Sequence, residues 1–299
     1  MIIYMTDWKM THIRVYCSFL IIFFLKLSAQ QPIKQIRPPW GYTFTSWEGP
    51  QLDIITYIPA NANTDTPILI VIPGASRDAQ RFHASWLDLA KKKNFAVLTI
   101  GAHKDLFPDE YSYNAGGVIN ENGDILDNEK WLFSAIEPIF IDFKNRYGFN
   151  SKKFYLFGHS AGGGVVHRYL LFKPKAPVLN AVAANPAFVT LPDENIDYPF
   201  GIGRVQIKKA HMRSWFKSNL AIILGGNDLG PRTKPLSNGP MALEQGPNCL
   251  VRGKLLYKSA RNRAKDLNTR FQWELIIVPG VGHDNFNIAP VACEYLFGK

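Results

Sequence analysis

The residues of this chain best suited to catalysis lie in one short stretch, Gly158-His159-Ser160-Ala161-Gly162. An apolar run at 153–157 predicts a buried strand before it, and residues 165–171 predict a helix after it. A Gly-x-Ser-x-Gly pattern between a strand and a helix is typical of a sharp turn that exposes a nucleophilic hydroxyl. Side chains two positions either side of the serine would collide in such a turn, and the two glycines remove them.

A serine hydroxyl is a weak nucleophile by itself, so the rest of the chain has to supply a base and an acid. The tetrahedral intermediate of such a reaction also needs hydrogen-bond donors at its oxyanion. The backbone amide of Ala161 is a candidate donor because it lies at the positive end of the predicted helix.

Predicted strands and helices alternate along the chain after an opening hairpin. Residues 42–45 and 52–59 flank a Glu-Gly-Pro turn and predict the two antiparallel strands of that hairpin. The later elements are strands at 68–72, 95–100, 153–157, 181–184, 220–224 and 271–278, and helices at 79–92, 128–146, 165–171, 251–266 and near the C-terminus, ending near residue 297. This alternation predicts an α/β fold with a mostly parallel sheet covered by helices on both faces.

Three irregular stretches, 103–127, 187–218 and 229–250, follow predicted strands. Ligands of such sheets bind at the carboxyl ends of the strands, so these stretches are expected to shape a binding pocket. We expect Tyr111, Tyr113 and the last stretch to line it. Three tryptophans are expected in the core instead: Trp86, Trp131 and Trp273.

The length suits one large α/β domain or two small ones, and the sequence shows no interdomain linker. The chain has 299 residues, of which 46% are hydrophobic, enough for a sizeable core. The formal net charge is +10, but the basic residues at 91–93 and in the predicted helix 251–266 are typical of solvated helix faces. We find no nucleic-acid motif, no metal-ligand spacing and no phosphate-binding glycine loop, so no nucleic acid, metal or cofactor is expected.

Residues 1–29 are predicted to be a signal peptide, and residues 30–299 a single catalytic domain. Basic Lys9 and Arg14 precede an apolar run at 15–25, and cleavage is expected after Ala29. That run is about half the length of a transmembrane helix, so no membrane span is expected after cleavage. An uncleaved anchor is the alternative. The signal predicts export to the periplasm or the medium.

Cleavage of the signal peptide would leave Cys249 and Cys293 as the two remaining cysteines. An exported chain can join such a pair in a disulfide bond. The alternative is two buried free thiols, and the spacing does not decide between them.

Two further segments place polar residues directly after predicted strands. Leu224-Gly225-Gly226-Asn227-Asp228 ends one strand, and Val281-Gly282-His283-Asp284 follows the last strand. Together with the serine turn, and in this order, they make the chain resemble the α/β-hydrolase superfamily over nearly its whole mature length. Within that superfamily it looks most like secreted serine esterases of the polyhydroxyalkanoate-depolymerase and feruloyl-esterase type.

The resemblance implies a catalytic triad of Ser160, Asp228 and His283. His283 would take the serine proton, and Asp228 would hold the imidazole in the required tautomer. The alternatives are a turn-forming aspartate at 228 and a surface-loop histidine at 283. Asp284 is the nearest rival acid, although its place next to His283 would direct its side chain elsewhere.

The resemblance also implies a second oxyanion donor in the loop Pro73-Gly74-Ala75-Ser76, and we expect it to be the amide of Ala75. Many members have a histidine before that glycine, where this chain has Pro73. A plain strand–helix turn is the alternative. His159 is implied to point away from the reaction and pack, and His167 is expected on a helix face.

The sequence therefore predicts a cofactor-independent serine hydrolase that cleaves carboxylic esters through an acyl-enzyme. Expected substrates are acyl or feruloyl groups on polysaccharide, or short polyesters, so the main partner is an ester substrate that can be polymeric. The alternatives are a serine peptidase on the same fold and a binding module built on a hydrolase scaffold. The sequence leaves the oligomeric state open.

Overall fold

The computed structural model describes residues 40–298, so the predicted signal peptide lies outside the described residues. Within this range eight strands form one sheet in the order β1-β2-β4-β3-β5-β6-β7-β8. β2 pairs antiparallel with both β1 and β4, and all other neighbours are parallel. The strands are β1 Gly41–Phe44, β2 Leu52–Tyr57, β3 Ile68–Ile72, β4 Ala96–Gly101, β5 Phe154–His159, β6 Val178–Ala184, β7 Leu220–Gly225 and β8 Glu274–Val278.

Helices cover both faces of the sheet, which confirms the predicted fold class. α1 and α8 pack together on one face, and α2, α3, α4 and α7 lie on the other. The helices are α1 Ala79–Lys93, α2 Leu132–Tyr147, α3 Ala161–Phe172, α4 Lys209–Phe216, α5 Pro235–Asn238, α6 Pro240–Glu244, α7 Cys249–Asp266 and α8 Asn285–Phe297. No helix within residues 40–298 is both long and apolar enough to cross a membrane.

The continuous apolar strands follow from burial on both faces. In β3, Ile68, Ile70 and Ile72 pack in the core under α2 and α3, whereas Leu69 and Val71 pack against α1. Because successive side chains of a strand point to opposite faces, a strand covered on both sides needs an unbroken apolar run. Because the six strands from β3 to β8 run parallel, their carboxyl ends lie at one common edge of the sheet, where the loops that follow them meet.

Several irregular stretches contain more structure than the sequence indicated. The 187–218 stretch contains α4, whose Trp215 is fully buried, and the 229–250 stretch contains the single turns α5 and α6. The helix predicted at 128–146 is interrupted, because Trp131 has an extended backbone between a 3-10 turn, Asn128–Lys130, and α2. The helices α4, α5 and α6 were missed because each has eight residues or fewer, which is too short for a clear periodic pattern.

His167 lies on α3, as the sequence predicted, and the face it occupies is turned into the core. α3 lies in the core, and the His167 side chain is completely buried. Its Nδ1 lies 2.8 Å from the Gly163 carbonyl, and its Nε2 accepts a hydrogen bond from the Thr190 amide. Burial lowers the pKa of His167 well below its ordinary value.

The two cysteines are free thiols, so the disulfide alternative is wrong. Cys249 begins α7 and Cys293 lies within α8, and both are buried. Burial raises the pKa of Cys293 to about 11 and keeps this thiol protonated at neutral pH.

Candidate active site

Ser160 lies in a strained turn between β5 and α3. Its backbone has φ of 60° and ψ of −118°, a conformation that side-chain-bearing residues rarely adopt. A Cβ added at Gly158 would lie 2.2 Å from the carbonyl oxygen of Gly162, and one added at Gly162 would lie 2.1 Å from that of Ile72. The backbone therefore requires glycine at both positions, as the sequence pattern indicated.

Asp228 and His283 are brought together by the loops that follow β7 and β8. The two strands are parallel neighbours, and the contact continues beyond them, since the Asn227 amide donates to the Val281 carbonyl at 2.8 Å. A side chain at Gly225 would meet backbone oxygens of the opposite loop at 2.4 and 2.5 Å. This close approach leaves His283 Nδ1 2.6 Å from Oδ2 of Asp228, whose side chain is buried.

The side chain of Asp284, the rival acid, forms hydrogen bonds to residues of α8. Its Oδ1 accepts a hydrogen bond from the Phe286 amide at 2.9 Å, and its Oδ2 accepts one from Asn287 Nδ2 at 2.6 Å. Asp284 thus caps the N-terminus of α8. Its carboxylate is occupied there, and the imidazole of His283 pairs with Asp228 instead.

Ser160 and His283 line the same cavity, which has a volume of about 340 Å³. Within the described residues no hydrogen bond joins the Ser160 hydroxyl to the His283 ring. Catalytic hydrogen bonds are often long in a ligand-free enzyme and shorten when substrate binds. The serine and histidine are therefore neighbours in one cavity, and proton transfer needs a closer approach of their side chains.

His159 is a buried neutral histidine beside His283, and it lines the same cavity, although the resemblance implied that it points away. Its ring centroid lies 4.6 Å from that of His283, and its Nε2 lies 3.1 Å from Asn185 Nδ2. Asn185 Oδ1 accepts from the Gly225 amide, so Nδ2 is the donor and His159 carries its proton on Nδ1. Burial, and next the charge of His283, lower the pKa of His159 well below its ordinary value. Sequence reasoning missed Asn185, which fixes this tautomer.

Two backbone amides beside Ser160 have no acceptor among residues 40–298. These are the amides of Ala161 and Ala75, the two donors expected from the sequence. The loop after β3 approaches the nucleophile closely, because a Cβ added at Gly74 would lie 3.4 Å from Ser160 Cβ. Ala75 follows Gly74 directly and lines the cavity. Both amides are therefore available to a ligand.

Tyr113 supports this loop from behind and does not line the cavity, contrary to the sequence prediction. Its hydroxyl donates to the Pro73 carbonyl at 2.7 Å, and its side chain is buried. The guanidinium of Arg77 lies over the Tyr113 ring, 3.4 Å from its centroid. Tyr111 does not line the cavity either; Glu110 and Asn114 from the same stretch do.

Most of the residues that line the cavity have polar or charged side chains. Among the residues that line it, Phe82 is the only phenyl group, and the 229–250 stretch contributes to the wall as expected. The amide oxygens of Asn114 and Asn285 are buried and have no hydrogen-bond partner within residues 40–298. Four charged side chains also line the cavity: Arg81, Glu110, Arg232 and Lys234.

The backbone is similar to those of solved hydrolases. Poly(aspartic acid) hydrolase-1 from Sphingomonas sp. KT-1 matches with a TM-score of 0.82 and 32% identity, over 89% of this chain and 99% of that one. The chain belongs to the α/β-hydrolase superfamily. The superfamily predicted from the sequence is confirmed.

Two further structures extend this comparison of the hydrolase. LpqC, a poly(3-hydroxybutyrate) depolymerase from Bordetella parapertussis, matches with a TM-score of 0.81 and 26% identity, over 86% of this chain and 89% of that one. An S-formylglutathione hydrolase from Agrobacterium tumefaciens, 13% identical with a TM-score of 0.54, covers 89% of this chain and 97% of that one and shares the fold alone. No protein-family model matches the sequence, and none of the curated proteins matches it.

A fully buried arginine ties the cavity loops of this hydrolase to α3. Arg168 Nε donates to Thr190 Oγ1 at 2.7 Å, and Nη1 donates to the Asn114 carbonyl at 3.1 Å. Nη2 donates to the carbonyls of Phe188 and Pro199 at 3.4 and 3.3 Å. Burial lowers the pKa of Arg168 to about 10, so it stays charged at neutral pH. Asn114 thus owes its place in the cavity wall to a residue that sequence reasoning did not select.

A second buried arginine contacts other residues of the cavity wall. Arg252, on α7, donates through Nε to the Gly246 carbonyl at 2.8 Å and through Nη1 to the Ser237 carbonyl at 2.8 Å. Nη1 also donates to the Ala187 carbonyl. Ser237 and Ala187 both line the cavity, so Arg252 joins the stretches after β6 and β7.

One group of three potential metal ligands occurs among residues 40–298. Ligand atoms of Asp228, Cys249 and His283 all lie within 4.8 Å of one another. A cysteine binds metal as the thiolate, and burial raises the pKa of Cys249 to about 12. The carboxylate and imidazole are already hydrogen-bonded to each other. The chemistry of this group favours a hydrogen-bonded pair beside a neutral thiol.

Proposed function

We propose that this hydrolase cleaves carboxylic esters through a covalent acyl-enzyme, with Ser160 as nucleophile and His283 as general base. Asp228 orients His283. The observation that carries the proposal is the 2.6 Å hydrogen bond from His283 Nδ1 to Asp228 Oδ2, at the cavity that Ser160 also lines. With the proton held on Nδ1, Nε2 keeps the lone pair that a base needs.

In acylation, Nε2 of His283 takes the hydroxyl proton as Ser160 Oγ forms a bond to the ester carbonyl carbon. The oxyanion that results accepts hydrogen bonds from the amides of Ala75 and Ala161. When the intermediate collapses, the bond to the alcohol oxygen breaks. His283 returns the proton to the departing alcohol, and the acyl group stays on Ser160.

In deacylation, a water molecule takes the place of the alcohol. His283 removes a proton from the water as its oxygen attacks the acyl carbon, and the same two amides stabilise the second oxyanion. Collapse then breaks the bond to Ser160 Oγ, which recovers its proton from His283. One ester and one water yield one carboxylic acid and one alcohol.

Phe82 is the single phenyl group among the residues that line the cavity, which supports short polyesters and small acyl groups on polysaccharide more than feruloyl esters. A feruloyl ring gains most where several aromatic side chains can pack against it. Polymeric substrates are also supported by the relatives described as a poly(aspartic acid) hydrolase and a poly(3-hydroxybutyrate) depolymerase. Export of the enzyme stays a prediction, because residues 1–39 lie outside the described residues.

Hydrolysis of amide bonds is the second candidate, and one observation favours it. The relative with 32% identity is described as acting on poly(aspartic acid), a polyamide. Amide hydrolysis would use the same nucleophile and base, with His283 donating its proton to the departing nitrogen.

Replacement of Ser160 by alanine tests the proposal. We expect turnover of p-nitrophenyl acetate to fall by about 10³-fold or more, with the fold intact. Ser46→Ala, at an exposed serine in the β1–β2 connection, is the matched control and should keep full activity. A fluorophosphonate probe should label wild type and the control variant but not Ser160→Ala. Equal activity of Ser160→Ala and wild type would refute the assignment.

Comparison of substrates separates the two candidates. Purified enzyme is offered a short polyester and poly(aspartic acid) side by side, and the released acid or amine is titrated. Faster release from the polyester, dependent on Ser160, supports esterase function. Faster release from poly(aspartic acid) supports the amide candidate instead, and failure of the probe to label Ser160 would favour a non-catalytic binding module.

A further inference from the structure

Arg232 contacts both the triad acid and the cavity. It lies four residues after Asp228, and its Nη2 is 3.5 Å from Asp228 Oδ1. Nη2 also donates to the Gly230 carbonyl at 3.1 Å. The side chain is 18% exposed and lines the cavity with Ser160 and His283. Within residues 40–298, Nη1 has no hydrogen-bond partner. One side of the guanidinium is thus anchored, and donor capacity remains for a ligand.

The charges around the cavity favour an anion. Three cationic side chains line it, Arg81, Arg232 and Lys234, against one carboxylate, Glu110. The Glu110 carboxylate is already engaged, since it accepts from the Leu236 amide at 2.6 Å. That carboxylate also interacts with the charges of Arg77 and Lys234. Asp228 offsets part of the charge of Arg232 from the other side. Because three cations face two carboxylates, Glu110 and Asp228, a negatively charged group entering the cavity still gains net attraction.

We propose that Arg232 selects acyl groups that carry a carboxylate, an inference that rests on the proposed serine hydrolase function. A guanidinium presents a planar set of donors that matches the shape and charge of a carboxylate. The contacts with Asp228 and Gly230 hold Arg232 in place before substrate arrives, so less conformational entropy is lost on binding. The preferred substrates are esters, or polymers, whose acyl unit has a second acidic group.

A pair of substrates with the same shape and different charge isolates this effect. Monomethyl succinate carries the carboxylate, and methyl succinamate replaces it with a neutral amide of nearly equal size. Because Arg232 also contacts Asp228, its replacement can slow both reactions. The ratio of the two kcat/KM values is independent of such a loss, since a defect in the triad affects both esters equally.

For wild type we expect kcat/KM to be at least about tenfold higher for monomethyl succinate, measured by titrating released acid at pH 7. Arg232→Gln should lower that ratio by about tenfold. Lys234→Gln removes an exposed cavity charge without contact to Asp228, and should lower it by less than about threefold. Arg261→Gln is the control: this arginine is exposed and lies about three turns along α7 from its start. A ratio in Arg232→Gln within twofold of wild type overturns the inference.

Ligand binding gives a test that does not need turnover. Calorimetry on the Ser160→Ala protein should detect succinate at least about tenfold more tightly bound than succinamide, with the preference falling as salt is raised. Equal binding of the two overturns the inference even if Arg232→Gln fails to fold. If Ser160 resists the fluorophosphonate probe while succinate is still preferred, the proposed function fails and the carboxylate site stands. If hydrolysis depends on Ser160 but the charged ester is not preferred, the proposed function stands and the carboxylate site fails.

Discussion

Gly162→Ala should displace the loop that carries one proposed oxyanion donor. An added Cβ would lie 2.1 Å from the Ile72 carbonyl oxygen and 2.7 Å from that of Pro73. Since a Cβ essentially never approaches another heavy atom more closely than 3.0 Å, the first distance must grow by about 0.9 Å. Both neighbours are backbone atoms, so a side-chain rotation cannot relieve the contact and the chain after β3 has to shift.

That shift has a cost in both rate and stability. The loop after β3 carries Ala75, and a displacement of about 1 Å in a catalytic group can reduce a rate by about 10²-fold. Overpacking of this kind costs about 1–3 kcal/mol of unfolding free energy. We therefore expect kcat for p-nitrophenyl acetate to fall by roughly 30- to 100-fold in Gly162→Ala. The unfolding temperature, followed by circular dichroism, should fall by about 3–10 °C.

Gly282→Ala is the matched control for this substitution. It lies beside His283 in the sequence, yet an added Cβ would meet only the Asn227 carbonyl oxygen, at 3.7 Å. Its φ is not in the left-handed region, so alanine fits the backbone. We expect activity within about twofold of wild type and stability within about 0.5 kcal/mol. If Gly162→Ala also retained a third or more of wild-type kcat, the argument from the close contact with β3 would be refuted.

Two further predictions concern the support of the site and the response to acid. Tyr113→Phe removes the hydrogen bond to the Pro73 carbonyl, and should lower kcat by roughly 3- to 10-fold; a stability loss with unchanged kcat would show that the loop does not need this support. Burial lowers the pKa of His83 to about 4, below its unfolded value of about 6.5, so its contribution to stability is present above pH 6.5 and is lost as the pH falls towards 4. Denaturant unfolding should show about 2 kcal/mol of this loss between pH 7 and pH 5, and His83→Leu should show a correspondingly smaller loss; an equal loss in both proteins would mean that other groups cause it.

The serine turn could be predicted from the sequence because its requirements are local. A backbone with φ of 60° at Ser160 needs glycines two residues away on either side, and the flanking strand and helix are long enough to recognise. The approach of Asp228 to His283 could be predicted almost as directly from the order of the strands. Each follows a strand, parallel neighbours end at one edge, and the two loops then pair with each other. Such contacts follow from strand order once the fold is known.

The residues that line the cavity could not be predicted in this way, which explains the wrong expectation for Tyr111 and Tyr113. In an irregular stretch no period tells which side chains face inward, and here Glu110 and Asn114 do so. The position of Asn114 depends on Arg168, 54 residues away, through a bond to a main-chain carbonyl.

Every residue type has such a carbonyl, so the acceptors that hold Arg168 and Arg252 leave no pattern of side chains in the loops themselves. In the sequence only the arginine itself can be recognised, and a charged residue on a helix is expected at the surface. A buried guanidinium without a carboxylate partner is stable only if several carbonyls surround it, which forces separate loops to converge on one point. The arrangement of the loops around the cavity beside Ser160 therefore depends on the carbonyl contacts of two buried arginines, Arg168 and Arg252, and loop sequences alone could not have revealed it.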